Sequence, residues 1–327
     1  MQMTKDLVLG IDTSNYTTSV SLTDRAQNPI EDRRVLLRVK EGERGLRQSN
    51  ALFQHQENLP KLLHEILPVY RDRIAAVTVS SRPRPVEGSY MPVFLAGCQT
   101  GRILSDAFGV PYLEFSHQEG HLKAASFQSS LRWKEPYLAW HLSGGTCELL
   151  LVSSDGITIL GGSLDISFGQ LLDRLGVAMK LQFPCGAQLD RMALDLADGN
   201  ETRKGKVCRL FKPIARKGLE FNLSGLETQA LRLLEQEDIS REAIVLQIFE
   251  DMTDCLYRIT AEAAERTGAS QALFTGGVSA SRFLRQRWKA KEASSFRSGF
   301  VTVFGDPRYS PDNAVGTSLL GGESLWG

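Results

Sequence analysis

The chain has 327 residues, 42% hydrophobic and 23% charged, which is enough for two domains that each bury an ordinary core. Lysine plus arginine and aspartate plus glutamate each number 38, and this balance argues against general electrostatic binding to nucleic acid or membranes. The five cysteines form no C-x-x-C pair, so a zinc knuckle and a disulfide framework are disfavoured and a reducing cytosol is favoured. No segment approaches the ~20 apolar residues of a membrane helix, and the N-terminal apolar run is too short for a signal peptide, so we expect a cytoplasmic protein.

The first part of the chain reads as alternating strands and helices. In order, the patterns predict a strand at 6–12 with a hairpin partner at 17–22, a helix at 52–67 broken or kinked at Pro60, a strand at 74–80, a helix at 92–109 and a strand at 111–116.

A second, similar pattern begins near residue 136. It predicts strands at 136–144, 147–156 and 157–162, helices at 167–181 and 187–198, an irregular stretch at 199–223, an amphipathic helix at 244–268, a strand-then-glycine segment at 271–277 followed by a helix, a strand at 300–305 and a helix after 312–313.

Each half therefore opens with a strand hairpin and continues as α/β. This pattern favours a two-lobed α/β architecture with a central cleft. We expect residues 1–133 to form the N-terminal lobe, completed by a C-terminal helix at 306–327. Residues 134–305 would form the second lobe, with glycine-rich loops and a helical insertion.

Two of the five histidines lie in SHQEGHLKAA, residues 116–125. At i and i+4 on a helix, His117 and His121 share a face and are able to ligate one metal, although two solvated surface histidines are the commoner explanation of such spacing. Glu119 is at the wrong offset for the H-E-x-x-H motif of metalloproteases. A third ligand is needed, and Asp312 is a candidate that spacing alone does not select.

Two strands end in paired glycines, at LSGGT (142–146) and FTGGVSAS (274–281). Glycines allow close approach of a ligand to the backbone, and free N–H groups bind phosphate, but either segment alone is a weak signal and a tight turn is the alternative. Four aspartates are expected at strand ends or helix starts, where a helix cap or a surface charge is the commoner role: Asp12, Asp173, Asp190 and Asp312.

One tract, residues 203–217, contains seven lysines or arginines and no acid. Such a tract is able to contact RNA phosphates, and a solvated loop is the alternative at similar odds.

Taken in order, these segments resemble the tRNA N6-adenosine threonylcarbamoyltransferase family, once described as M22 peptidases. The resemblance runs nearly end to end. The segments that carry it are GIDTSNYTTSVSL (10–22), HQEGHLKAA (117–125), YLAWHLSGGTCELLLV (137–152), SFGQLLDRLGVAMKLQFPCGAQLDRMA (167–193), LEFNLSGLETQ (219–229), FTGGVSASRFLR (274–285) and SPDNAVG (310–316).

The resemblance implies the actin-like ATPase fold of sugar kinases, Hsp70 and actin. It implies one divalent metal, iron or zinc, held by His117, His121 and Asp312. It also implies that ATP or an adenylate such as threonylcarbamoyl-AMP is the ligand, with Asp12 as a weak catalytic candidate. The nucleotide-binding residues that we expect on this basis are Leu142, Ser143, Gly144, Gly145, Asp173, Gly186, Asp190, Gly276, Gly277 and Ser281.

Several positions depart from the family pattern. The Cys-Asp-Glu that follows the first strand reads Asn15-Tyr16-Thr17, so two active-site acids are missing. The glycine turn expected after the strand at 74–80 reads SRPRPVEG. Three further replacements are Thr146 for a histidine, Ser281 for an asparagine and Glu227 for a lysine. Intact metal positions with altered surroundings are typical of a divergent paralogue.

We therefore expect a metal-dependent acyl or carbamoyl transferase that modifies tRNA, with tRNA contacting 203–217 and with other modification subunits as partners. A non-catalytic nucleotide-binding partner of that machinery is the first alternative, and a metallohydrolase or peptidase is the less favoured second.

Overall fold

The computed structural model describes residues 4–39, 46–132, 135–200, 209–236, 238–295 and 299–327. The chain divides into two compact units, of which the first comprises Met1–Phe127 and Arg308–Gly327 and the second Gln128–Pro307. Both are mixed α/β, as the sequence predicts. Among the described helices, none combines the length and the hydropathy that a membrane span requires.

The described elements follow one another as strands and helices along both units. They are β1 (Leu7–Asp12), β2 (Thr17–Asp24), β3 (Pro29–Leu36), α1 (Gln48–Tyr70), β4 (Ile74–Arg82), α2 (Phe94–Phe108), β5 (Tyr112–Ser116), α3 (His117–Ser126), β6 (Tyr137–Leu142), β7 (Cys147–Ser153), β8 (Gly156–Ser163), α4 (Phe168–Ala178), α5 (Gly186–Asn200), β9 (Arg216–Lys217), β10 (Glu220–Phe221), α6 (Ser224–Leu234), α7 (Arg241–Thr267), β11 (Gln271–Thr275), α8 (Arg282–Ser295), β12 (Val301–Phe304) and α9 (Val315–Trp326).

The first unit is built on a five-stranded sheet in the order β3-β2-β1-β4-β5. Strands β1, β2 and β3 are antiparallel, whereas β4 and β5 run parallel to β1. Successive residues of β1 face opposite sides of this sheet. A Cβ on Gly10 would meet α9, whereas Ile11 lies against Gly97 of α2. The sheet is therefore covered on one side by α2 and on the other by α9.

The second unit has a seven-stranded sheet in the order β12-β11-β6-β7-β8-β10-β9. Its opening hairpin, β6 with β7, is antiparallel as predicted, and β11 and β12 lie parallel to β6. The long helix α7 buries the apolar stripe expected from its periodicity, which includes Ile248, Met252 and Leu256. This stripe is part of a single core cluster that is confined to the second unit.

Of the two predicted effects of Pro60, a break or a kink, the break is wrong, because α1 continues through both Pro60 and Pro68. Proline removes one helical hydrogen bond, but the buried face of α1, which includes Leu59, Leu63 and Ile66, compensates by packing.

The C-terminal helix follows residues 312–313, as predicted, but it is shorter than the predicted range 306–327. It begins at Val315 and not at residue 306, because Pro311 lacks an amide N–H and disfavours helical conformation at Ser310. A loop is therefore available before α9, and Asp312 lies in it. The edge strand β3 is absent from the sequence prediction because its charged residues, Glu31 to Arg34, carry no apolar alternation.

Candidate functional site

The helix that carries both motif histidines is fixed at its first turn. Ser116 is the N-cap of α3, and its hydroxyl accepts a hydrogen bond from the Glu119 N–H at 3.2 Å. The Glu119 carboxylate accepts the Ser116 N–H in return, at 2.7 Å. This reciprocal capping box gives Glu119 a structural role.

His117 and His121 lie one turn apart on α3 and are both largely buried. Asp312 reaches them from the loop before α9, and its Oδ1 lies 3.3 Å from Nε2 of each histidine. The ligand atoms of the three residues all lie within 4.8 Å of one another. The structure thus brings together the three residues expected to hold a metal.

Two glycines allow the elements that carry these residues to cross closely. A Cβ on Gly316 of α9 would lie 1.8 Å from the carbonyl oxygen of Gly120, and a Cβ on Gly120 would lie 3.0 Å from Oγ1 of Thr317. No side chain larger than hydrogen fits between these helices at Gly316. The glycine inside HQEGH therefore belongs to the packing of α3 on α9.

Asn313 holds the loop on which Asp312 lies. Its side-chain amide donates to the carbonyl oxygens of Tyr309 at 3.0 Å and Pro311 at 2.9 Å, while its Oδ1 accepts the Val315 N–H at 3.1 Å. These bonds shape the turn before α9. Sequence reasoning did not identify Asn313, although its place directly after Asp312 was the available signal.

Asp12, at the end of β1, is buried and fully engaged. Its Oδ1 accepts hydrogen bonds from the backbone N–H of Ser14, at 2.8 Å, and from the Ser14 hydroxyl. Its Oδ2 accepts from Oγ of Ser80 at 2.7 Å and lies 2.9 Å from Nδ1 of His117. A carboxylate so occupied is placed to orient His117, not to receive a proton from a substrate. Ser14 and Ser80 were not predicted.

In this cluster the two carboxylates and His117 each stabilise the charged form of the other. Burial lowers the pKa of His117, but the carboxylates of Asp12 and Asp312 outweigh it and raise that pKa to about 10. Burial raises the pKa of Asp312, yet its hydrogen bonds to His117 and His121 hold it well below the usual range. Burial likewise opposes ionisation of Asp12, and the charge and hydrogen bond of His117 keep its pKa low. The two carboxylates therefore favour a cation between them.

The donor set of this cluster fits a divalent transition metal. Two imidazole nitrogens and one carboxylate oxygen are ligands that zinc and non-haem iron accept. In neutral His117, a hydrogen bond from Nδ1–H to Asp12 leaves a lone pair on Nε2, and this is the form that a metal binds when it displaces the Nε2 proton. The residues expected from the sequence thus meet the chemical requirements of such a site.

The second unit contains a cavity of about 660 Å³ lined by residues from the two glycine-rich segments and from α4, α5 and α8. Six of the expected nucleotide-binding residues line it: Gly144, Asp173, Gly186, Asp190, Gly277 and Ser281. The lining does not include Leu142, Ser143, Gly145 or Gly276. Gly276 adopts a positive φ of 90°, and a Cβ there would lie 2.3 Å from the Leu142 carbonyl, so it allows close backbone packing.

Asp190 lies inside α5 and not at a helix start, which corrects the sequence expectation. It nevertheless caps a helix, because its carboxylate accepts the backbone N–H groups of Arg282 at 3.0 Å and Phe283 at 3.1 Å, in the first turn of α8. The Ser281 hydroxyl donates to the same carboxylate at 2.5 Å. Ser281, the residue in place of the family asparagine, is thus bonded to Asp190.

Asp173 is also within a helix, α4, contrary to expectation. It accepts the Cys185 N–H at 2.8 Å, directly before α5 begins. The sequence predicted helix caps at these aspartates. Each does cap a helix, but one later in the chain than the helix on which it lies: α5 for Asp173 and α8 for Asp190. Further lining residues, missed by the sequence reasoning, follow helical spacing: Arg191, Asp195 and Asp198 on α5, and Arg282 and Gln286 on α8.

The basic tract at 203–217 is described only in part, because its first six residues lie outside the described ranges. Arg209 forms an ion pair with the buried Asp251. Arg216 forms one with Glu262. Two of its cations therefore already have protein partners, which reduces the charge available to an RNA.

Comparison with known proteins agrees with this geometry. The sequence model of the TsaD family, tRNA N6-adenosine threonylcarbamoyltransferase, matches residues 40–318. The chain belongs to the TsaD family. Membership confirms the resemblance found in the sequence and makes the chain a relative of transferases that act in tRNA modification.

Solved structures that are similar to this TsaD-family chain have low sequence identity to it and show its fold. Full-length HypF in a phosphate- and nucleotide-bound form matches with a TM-score of 0.62 and 12% identity, over 100% of this chain and 47% of that one. HypF from T. kodakarensis matches with a TM-score of 0.61 and 13% identity, over 98% and 48%. Component A of the (R)-2-hydroxyglutaryl-CoA dehydratase of Acidaminococcus fermentans gives 0.54 and 13%, over 98% of both chains.

The chain spans about half the length of the two HypF proteins. These neighbours have the actin-like ATPase fold, so the predicted fold class is confirmed.

Proposed function

We propose that this protein is a metal-dependent transferase that moves the threonylcarbamoyl group, or a closely related carbamoyl or acyl group, from an adenylate to N6 of adenosine 37 in tRNA. The observation that carries the proposal is the convergence of His117, His121 and Asp312, within 4.8 Å, in a chain of the TsaD family. In the reaction, the bond between the carbamoyl carbon and the phosphate oxygen breaks, a bond to N6 forms, AMP leaves with the electron pair, and one N6 proton is released to solvent.

The cavity of the second unit supports an adenylate as the donor. Gly144 and Gly277 line it and carry no side chain that would obstruct a phosphate. Leu172, Leu194 and Val278 supply apolar wall for a base. One structure of similar fold, HypF, has been solved with phosphate and nucleotide bound.

Each residue of the metal cluster has a distinct task in this proposal. His117, His121 and Asp312 would hold one divalent ion, which supplies Lewis-acid polarisation of a ligand oxygen when it is bound. Asp12 accepts Nδ1–H of His117 and so keeps its Nε2 lone pair available. Ser14 and Ser80 occupy the remaining lone pairs of Asp12, which keeps this carboxylate from turning toward a substrate.

A metal measurement tests the core of the proposal. Wild type is expected to bind about one divalent ion per chain, and His117→Ala with His121→Ala is expected to lose it, because the donor set falls from three to one. His64→Ala, at an exposed position of α1, is the matched control and should bind as wild type does. If wild type binds no stoichiometric metal, the proposed metal-dependent transferase is contradicted and a non-catalytic nucleotide-binding partner is favoured.

The acceptor is tested separately. We expect a deletion strain to lose threonylcarbamoyladenosine or a related modification from its tRNA, measured by nucleoside mass spectrometry, and to regain it with wild type but not with the double histidine variant. Unchanged tRNA nucleosides in a metal-binding protein would remove tRNA as the acceptor. Hydrolysis of peptides or amides by the purified protein would then favour the metallohydrolase or peptidase.

A further inference from the structure

Asn15 occupies the turn between β1 and β2, where the family carries the first residue of its Cys-Asp-Glu segment. It is exposed and adopts a left-handed conformation with φ of 45°, which asparagine tolerates better than most residues. Its side-chain amide nitrogen lies 3.4 Å from Nε2 of His117. The amide therefore lies beside the nitrogen that a metal would use.

That distance is the one expected between two ligands of the same ion. Bonds of about 2.1 Å at tetrahedral angles separate ligand atoms by about 3.4 Å. The Asp312 oxygen is 3.3 Å from each histidine nitrogen, so it shows the same spacing. The Asn15 amide thus stands at ligand distance from Nε2 of His117, one of the three expected ligands.

The Asn15 amide has one atom suited to the site without a metal and another suited to the site with a metal bound. In its neutral form, His117 directs Nδ1–H to Asp12 and keeps on Nε2 a lone pair that accepts N–H from Asn15. A metal on that lone pair leaves no acceptor for the N–H. A half-turn of the amide exchanges Nδ2 for Oδ1 and presents a carbonyl oxygen, which is a ligand that a divalent ion accepts.

We propose that the side-chain oxygen of Asn15 is a fourth, displaceable ligand of the metal centre. This inference rests on the proposed function, since it requires the metal. An amide oxygen is neutral, so an anionic or carbonyl oxygen of the substrate replaces it more easily than it would replace a carboxylate. The exchange of an acidic segment for Asn15-Tyr16-Thr17 then makes the metal open to oxygen ligands.

The test uses the full-length chain loaded with Co²⁺, whose visible absorption reports its ligands. Asn15→Gly removes the amide without straining the positive φ, and we expect Co²⁺ affinity to fall about tenfold, with a changed spectrum. Asn15→Asp supplies a charged oxygen, and we expect Co²⁺ to bind about tenfold more tightly. Acetate, as a probe ligand, should alter the wild-type spectrum at concentrations about tenfold lower than those required by Asn15→Asp.

Gln27→Gly is the matched control, because Gln27 also has a positive φ, 64°, but lies in the turn at the other end of β2. It should leave the affinity and the spectrum unchanged. If both Asn15 variants bind Co²⁺ within twofold of wild type, with the same spectrum, Asn15 is not a ligand and the proposed function still stands. If wild type binds no Co²⁺, both this inference and the proposed metal centre fail.

Discussion

At the scale of single residues, the contacts of Asp12 change the role that we assign to it, from a catalytic candidate to a residue that orients His117. At the end of a strand, in a segment that resembles the N-terminal motif of the family, it is a weak candidate for catalysis. The structure surrounds it with Ser14, Ser80 and His117, which occupy both of its oxygens. Burial opposes ionisation of Asp12, but the charge of His117 and the hydrogen bonds from His117 and Ser14 keep its pKa low, which favours a permanent negative charge beside His117.

We expect Asp12→Asn to weaken metal binding about 10- to 100-fold. The new amide is able to donate to Nδ1 of His117, which moves the imidazole proton to Nε2, the nitrogen that the metal requires. Isothermal titration with Zn²⁺ measures this. Ser80→Ala removes the hydrogen bonds of Ser80 to Asp12 and Thr317 but keeps the carboxylate of Asp12, so it should change the affinity little. Equal affinities for Asp12→Asn and wild type would show that Asp12 does not control this tautomer.

At the scale of elements, the site depends on how closely α3 and α9 cross. Gly120 and Gly316 permit that approach, and Asn313 shapes the loop between Asp312 and α9. The sequence predicted α3 and its two histidines on one face, because i, i+4 spacing is a local property. It did not predict that the intervening glycine serves the helix crossing.

Gly316→Ala should destabilise the first unit by about 1–3 kcal/mol or more, because its Cβ would overlap the Gly120 carbonyl. Denaturant unfolding gives the stability, and Zn²⁺ titration should show weaker binding as α9 moves away. Gly225→Ala, on α6 with no atom near the added Cβ, is the control and should be neutral or slightly stabilising. A variant that matches wild type in both measurements would mean that the crossing is not tight.

At the scale of the whole molecule, the C-terminal segment decides whether the first unit is complete. Residues 308–327 belong to this unit although the second unit separates them from the rest of it in sequence. They carry Asp312 and α9, which packs on β1, β2 and β4. The second unit has a core of its own, built from residues between Leu138 and Trp288.

A chain ending at Pro307 should therefore lose metal binding and the cooperative unfolding of the first unit, while 128–307 remains folded. Limited proteolysis with mass spectrometry is expected to yield a resistant fragment near 128–307, and calorimetry should lose one transition. Adding the peptide 308–327 should restore part of the metal binding. Two intact transitions in the truncated chain would show that α9 is dispensable for the first unit.

The sequence by itself determined the α/β class, the two hairpins, the amphipathic α7 and the HQEGH helix, since periodicity and capping act between near neighbours. It also carried the family resemblance that the comparison confirms. Only the tertiary structure decided which residues meet. It brings His121 to Asp312, 191 positions away, places Ser80 on the carboxylate of Asp12, and places Asn15 beside His117. The physical reason is that such contacts depend on how packed elements cross, and spacing along one element does not contain that information.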